Sequence, residues 1–251
     1  MVDFFSDLDN TLIYSHRTAP KVDKVLAETL DGREQSYISR RTLAFLQNAP
    51  WLRLIPVTTR SKEQFARISL FPAQLPCPYA LVSNGGELLI DGETDPQWLE
   101  ETRMLISPAM DALRDGIALM EKMVASGRKV RTPSNLMAYA VFDDPAETVQ
   151  RLRNLLDVST LSILHDSRKV YCIPSAMHKG AAVKRFMARY QTETIATAGD
   201  SAFDIPLLEM GEIAITNRAM ASLLRNPNTI AIVDHLILSD EICSVLANIS
   251  H

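Results

Sequence analysis

The first thirteen residues, MVDFFSDLDNTLI, constrain the fold more than any other stretch. Val2 to Ser6 is an apolar run that stops at a turn, the pattern of a strand buried on both faces of a parallel sheet. Asp7-Leu8-Asp9-Asn10-Thr11 follows without a break. Alternate side chains along an extended backbone point the same way, so Asp7 and Asp9 can project to one side. Two close carboxylates repel, and a proton or a cation between them relieves the repulsion. A hard divalent cation such as Mg²⁺ takes oxygen ligands of this kind. An acidic helix cap or Asx-turn after a strand accounts for the same residues. The choice rests on the rest of the chain.

With 251 residues there is room for one large domain or two modest ones. A hydrophobic share of 47% beside 22% charged residues is that of a soluble protein with a sizeable core. A formal charge of -4 provides no basic footprint, so nucleic acid is not expected as a partner. No apolar run is long enough to span a membrane, and the N-terminus lacks the pattern of a signal peptide. Cys77, Cys172 and Cys243 are scattered without metal-ligand spacing, which suits a reducing compartment. The expectation is a cytoplasmic protein, monomer or homodimer, with no membrane partner.

A hairpin is expected over 25–30 and 33–38, turning at Asp31-Gly32 directly after the acidic tip. His16, Arg17, Lys21 and Lys24 lie at its base as substrate contacts or as a solvated face. Ser39 caps a helix over 40–48. Residues 52–57 read as a second buried strand, ending in Thr58-Thr59-Arg60, and Ser61 caps a helix reaching residue 69. Strand, hydroxyl-rich turn and helix start form an anion-binding arrangement, although a plain helix cap has the same appearance. A third strand over 79–83 ends in Asn84-Gly85-Gly86.

From about residue 90 to 174 the pattern changes. A helix over 107–125 is followed by strands over 128–131 and 136–142, a helix over 145–157, and strands over 161–164 and 169–173. This αββαββ order is a two-layer α+β unit, and it interrupts the strand–helix alternation on either side. Residues 89–174 are therefore expected as an inserted domain, and residues 1–88 with 175–251 as an α/β, Rossmann-like core built on a mainly parallel sheet. Alternation resumes with Lys179 at a helix start and Gly199-Asp200-Ser201-Ala202-Phe203-Asp204 after a strand over 194–198.

Asp7/Asp9, Thr58 and Asp200/Asp204 thus stand at strand ends, where open α/β sheets bind ligands, with Lys179 within reach. Carboxylates around a Mg²⁺ ion, a hydroxyl and an ammonium suit a dianionic phosphate, and one Asp is placed to attack phosphorus.

At these residues the sequence resembles the haloacid dehalogenase superfamily of phosphohydrolases. The match rests on Asp7-Leu8-Asp9-Asn10-Thr11, on Thr58 in Val57-Thr58-Thr59-Arg60, on Lys179 in His178-Lys179-Gly180, and on Gly199 to Asp204. The inserted segment and Asn84-Gly85-Gly86 resemble the type IIB cap branch of sucrose-phosphatase, phosphomannomutase and Cof-like proteins. The resemblance implies Asp7 as nucleophile and Asp9 as general acid/base. It implies Thr58 and Lys179 as phosphate ligands. Asp7, Asp9 through its carbonyl, Asp200 and Asp204 would hold Mg²⁺. Thr59, Arg60 and Asn84 are candidate substrate contacts, with a surface ion pair as the other reading of Arg60. Thr59 stands in place of the usual glycine and Phe203 in place of the usual asparagine. In the cap, either Lys129, Arg131, Lys169 and Tyr171 or the opposite parity, with Arg128 and Arg168, faces the substrate. The implied activity is a Mg²⁺-dependent phosphatase acting on a small phosphorylated metabolite, such as a sugar phosphate or phospho-sugar acid, through an aspartyl-phosphate. A phosphomannomutase-like phosphosugar mutase and a non-catalytic binder of phosphorylated ligands share the pattern.

Overall fold

The structure is a computed structural model that describes residues 1–71, 73–192, 194–233 and 237–249. The chain divides into two compact units, Met1–Asp95 with His178–His251, and Pro96–Met177. The divisions fall at Asp95/Pro96 and Met177/His178 rather than at 88/89 and 174/175.

The first unit is organised on the N-terminal strand. Among the described residues, five strands form a parallel sheet in the order Thr229–Ile232, Ile213–Thr216, Thr194–Ala198, Val2–Ser6, Leu52–Pro56. Val2–Ser6 is paired on both edges, and both of its faces are covered as well, since the successive residues Phe4 and Phe5, which point to opposite faces, are fully buried. Each such ring contributes about 2–3 kcal/mol by leaving water. Phe5 packs edge-on against Phe186, with ring centroids 5.4 Å apart, and so seats the helix Lys179–Tyr190 on the sheet.

The hairpin is present as Lys24–Leu30 paired with Arg33–Ser39, and Tyr14–Ser15 adds to its far edge. Asp31 and Gly32 both take positive φ, +51° and +72°, as a turn matching the strand twist requires. Ser39 caps Arg40–Gln47, its Oγ accepting from Thr42 N at 2.9 Å. Ser61 forms a full capping box with Gln64, but the helix it opens is short, Lys62–Phe65, instead of reaching residue 69.

The second unit packs helices on one face of an antiparallel sheet ordered Leu161–Asp166, Lys169–Pro174, Ala138–Val141. Ala138, Ala140, Val170 and Cys172 face the helices and share a core with Leu113, Met120 and Leu152. Tyr139 and Tyr171, opposite each other in register, take the other face with Lys169. Arg128 and Arg168 both bond to Asp143 Oδ1, at 2.8 and 2.7 Å.

Two expectations for this unit are corrected. Residues 128–131 do not form a strand; only Arg131 pairs, as an isolated bridge to Tyr139. Pro133 has no N–H, and Ser134 and Asn135 sit at φ +48° and +58°, which ends any ladder there. The helix expected over 107–125 is preceded by another, Pro96–Ile106, joined to Met110–Met123 by the turn Ser107–Ala109. Pro108 lies in that turn, and the helical run starts at Pro96. Among the described residues no helix is long and apolar enough to cross a membrane.

Candidate active site

Register brings the acidic motifs to one edge. Ser6 pairs with Ala198 on one side and with Pro56 on the other, so Asp7, Val57 and Gly199 leave the sheet at the same level. Asp7 N donates to Ala198 O at 2.9 Å and Val57 N to Ser6 O at 2.8 Å, extending the ladder one residue past each strand.

Lys179 completes this edge from the first turn of its helix. Its Nζ lies 2.5 Å from Asp7 Oδ1 and 2.6 Å from Asp204 Oδ1, with the lysine side chain 1% exposed. Asp204 Oδ2 accepts from Asp200 N, Ser201 N and Ser201 Oγ at 3.1, 3.0 and 2.8 Å. Gly199 is required beneath it: a Cβ at that position would lie 2.3 Å from Asp204 Cβ. Thr11 Oγ1 donates to Asp200 Oδ1 at 3.1 Å. Thr216 Oγ1 and Asn217 Nδ2 hold the Gly199 and Asp200 carbonyls at 2.6 and 2.8 Å.

Burial pushes the Asp7 carboxyl well above the ordinary carboxylate range. Lys179 opposes the shift, and Asp204, Asp200 and Asp9 add to it. For Lys179 burial disfavours the charge, but Asp204 and Asp7 outweigh it and the ammonium is held protonated.

Thr58 is fully buried on the neighbouring strand end. Its Oγ1 accepts from Arg60 N at 3.1 Å, and its carbonyl accepts from Asn84 N at 2.8 Å. Ser83 and Asn84 adopt φ +51° and +59°, which lets two successive N–H groups reach the Arg60 and Thr58 carbonyls. Thr59 lies half-buried in the same turn.

Asp9 and Arg60 form a further group. Arg60 Nε and Nη2 bond to the two Asp9 oxygens, each at 2.8 Å, while Nη1 reaches Glu28 Oε2 at 2.9 Å. The Arg60 side chain is 12% exposed and that of Asp9 41%, so the ion pair entertained from sequence is buried at its arginine end and open to solvent at its aspartate end. Burial disfavours the guanidinium charge, and Asp9 and Glu28 more than restore it, so its pKa is raised.

The structure therefore brings Asp7, Lys179, Asp200 and Asp204 together, joins Thr58 to Asn84 through backbone, and joins Asp9 to Arg60. Sequence reasoning missed Glu28 and gave no role to Thr11, Thr216 or Asn217. Thr11 was available as the last residue of the acidic motif; Glu28 carried no local signal.

Oxygen atoms of Asp7, Asp200 and Asp204 lie within 4.8 Å of one another. Three carboxylates converging on one point, two of them sharing a lysine, form an all-oxygen donor set that fits a hard divalent ion such as Mg²⁺.

No protein-family model matches the sequence, and no curated protein matches it. Solved structures do match, over nearly the whole chain, and they define the fold as that of the haloacid dehalogenase phosphatases, a parallel-sheet core interrupted by an inserted α+β unit. Sucrose-phosphatase from Synechocystis, solved with sucrose and phosphate, aligns with 99% of this chain and 98% of its own at 16% identity and TM-score 0.69. A subclass IIB sugar phosphatase aligns over 100% and 99% at 12% identity and TM-score 0.65. A phosphatase of the same superfamily from Bacteroides thetaiotaomicron aligns over 99% and 94% at 15% identity and TM-score 0.56.

Proposed function

We propose that the protein is a Mg²⁺-dependent phosphatase that hydrolyses a small phosphorylated metabolite, a sugar phosphate or phospho-sugar acid, through an aspartyl-phosphate on Asp7. The observation that carries this reading is the buried Asp7–Lys179–Asp204 cluster at the carboxyl edge of a parallel sheet. A structural ion pair needs one carboxylate beside the lysine, whereas here one lysine is shared by two buried carboxylates with a third alongside, the kind of crowded charge cluster that functional sites assemble.

In this reading an Asp7 oxygen attacks phosphorus and the bond to the leaving oxygen breaks, with Asp9 giving that oxygen a proton. Water then attacks the phosphorus of the aspartyl-phosphate. Asp9 takes the water's proton, and the Asp7–phosphorus bond breaks. Thr58 keeps its hydroxyl proton while accepting from Arg60 N, so it can donate to a phosphate oxygen. Lys179 holds the Asp7 carboxylate in place and offsets its charge. Asp7, Asp200 and Asp204, with the Asp9 carbonyl, would hold Mg²⁺, which supplies charge neutralisation between two anions. Asn84 and Arg60 stand beside the phosphate subsite as contacts or as supports of contacts.

The choice of a sugar phosphate as substrate class is supported by the neighbours, of which one is a sucrose-phosphatase and another a sugar phosphatase. The free thiols of Cys77, Cys172 and Cys243 suit a reducing cytoplasm.

The test is phosphate release from a panel of sugar phosphates, phospho-sugar acids and nucleotides, each with Mg²⁺ and with chelator, beside an Asp7→Asn control. Release that needs Mg²⁺ and disappears in the control supports the proposal. Folded protein that releases nothing from any substrate overturns it.

A further inference from the structure

Glu28 lies in the hairpin, far from the acidic motif in sequence, and it is buried with its side chain 4% exposed. Strand alternation would turn either Ala27 or Glu28 outward, yet both are buried. The reason is a pair of register shifts. Between the Leu26/Tyr37 and Glu28/Ser36 pairs the first strand carries an extra residue, and between Glu28/Ser36 and Thr29/Glu34 the second strand does. Bulges re-aim side chains, and this one is fastened: Ala27 O accepts from Ser69 N at 2.9 Å, and Glu28 bridges Ile68.

Turned inward, the Glu28 carboxylate meets two donors and a second guanidinium. Arg60 Nη1 donates to Oε2 at 2.9 Å, Ser36 Oγ donates to the same oxygen at 3.2 Å, and Arg67 forms an ion pair, its Nε 3.0 Å from Oε1. Arg60 in turn grips Asp9 with Nε and Nη2. A guanidinium is a rigid planar fork, so fixing Nη1 on Glu28 fixes the direction in which Nε and Nη2 point. A buried ionic chain of this kind is a poor source of stability, because well-packed apolar residues often do as well.

We propose that Glu28 is a positioning residue that sets the orientation of the Asp9 carboxylate through Arg60. The proposal rests on the phosphatase reading, in which Asp9 is the general acid and base. It makes the hairpin part of the proton-transfer apparatus without touching substrate.

The experiment compares kcat/KM for Mg²⁺-loaded wild type and Glu28→Gln with two probes. 4-Nitrophenyl phosphate has a leaving group that departs without a proton, and glycerol phosphate has one that needs a proton. Because kcat/KM reports steps up to formation of the aspartyl-phosphate, only the second probe depends on Asp9 as acid. Glu28→Gln is expected to lower kcat/KM about tenfold or more for glycerol phosphate while leaving 4-nitrophenyl phosphate within about twofold. Equal loss on both probes, or loss on neither, overturns the proposal. Should Glu28→Gln not fold, Glu28→Asp, which keeps the charge and shortens the reach to Arg60, is expected to show the same split. If wild type releases phosphate from neither probe, the phosphatase reading is decided by the substrate panel above and falls only if that panel also gives nothing. The link from Glu28 to Asp9 is then read from the carboxyl-carbon NMR resonance of Asp9, assigned with Asp9→Asn. A displaced resonance in Glu28→Gln supports the positioning, and an unmoved one refutes it.

Discussion

The Lys179 ammonium lies 2.6 Å from Asp204 Oδ1, and the two side chains are 1% and 0% exposed. This charge also serves Asp7, so a single lysine compensates two carboxylates that have left water. Removing one partner of a buried pair strands the other, at a cost of about 3–5 kcal/mol. Lys179→Met keeps most of the volume and removes the charge. Urea unfolding in metal-free buffer is expected to show a loss of that size, and a loss under about 1 kcal/mol would mean that the carboxylates are already neutralised by protons.

Asp7 gives the opposite sign. Its folded-state pKa is raised, so its contribution to stability is fully present below the unfolded pKa and is lost as pH rises through the folded one. Between those two values the unfolded chain has released a proton that the folded chain still holds. Asp7→Asn removes this penalty, and its Oδ1 can still accept from Lys179. The variant is expected to melt higher than wild type at neutral pH in metal-free buffer, with the difference closing as the pH falls through the ordinary carboxylate range. Paired calorimetric scans from acid to neutral pH check it.

The parts of this architecture that depend on short-range rules are visible in the chain itself. An apolar run before Asp7, the Asp31-Gly32 turn, and the caps at Ser39 and Ser61 each follow from a few adjacent residues. Recurrence of carboxylates, a threonine and a lysine at strand ends and a helix start pointed to one edge of one sheet. What escaped reading depends on partners distant in sequence. The Asp9–Arg60 pair spans 51 residues, and nothing near either residue announces it. Glu28 faces inward because of a bulge, and a two-residue alternation cannot anticipate where an extra residue is inserted. In the inserted unit the helix expected from residue 107 is preceded by another, Pro96–Ile106, with the turn Ser107–Ala109 between them.

Mg²⁺ should stabilise the folded protein in proportion to how far its concentration exceeds the dissociation constant, about 2.7 kcal/mol at a hundredfold excess. Asp200→Asn removes one of the three converging carboxylates but leaves an oxygen to accept from Thr11. The melting temperature of wild type is expected to rise with added Mg²⁺, and that of Asp200→Asn to rise much less. Equal shifts in both proteins would place the ion elsewhere.

Gly180 sits in the first turn of the Lys179 helix, where a Cβ would lie 2.1 Å from Pro206 O and 2.7 Å from Pro206 C. Those are backbone atoms and cannot swing aside, so the two helices touch main chain to main chain. Alanine at this position gains about 1 kcal/mol of helix propensity over glycine. Overpacking against fixed backbone costs about 1–3 kcal/mol or more, and here the only relief is to lift the helix, carrying Lys179 away from Asp7 and Asp204. The clash therefore outweighs the propensity. Gly116, in the helix Met110–Met123, is the natural contrast: its Cβ would meet Cys172 Sγ at 3.4 Å and Leu156 Cδ1 at 3.6 Å, ordinary side-chain contacts. Gly116→Ala is expected to leave stability unchanged or raise it by up to about 1 kcal/mol. Gly180→Ala is expected to lower stability by about 1–2 kcal/mol net and to weaken Mg²⁺ stabilisation with it, as measured by urea unfolding at two Mg²⁺ concentrations. If Gly180→Ala behaves like Gly116→Ala, the close approach of the Lys179 helix to Pro206 is not what holds the lysine in place.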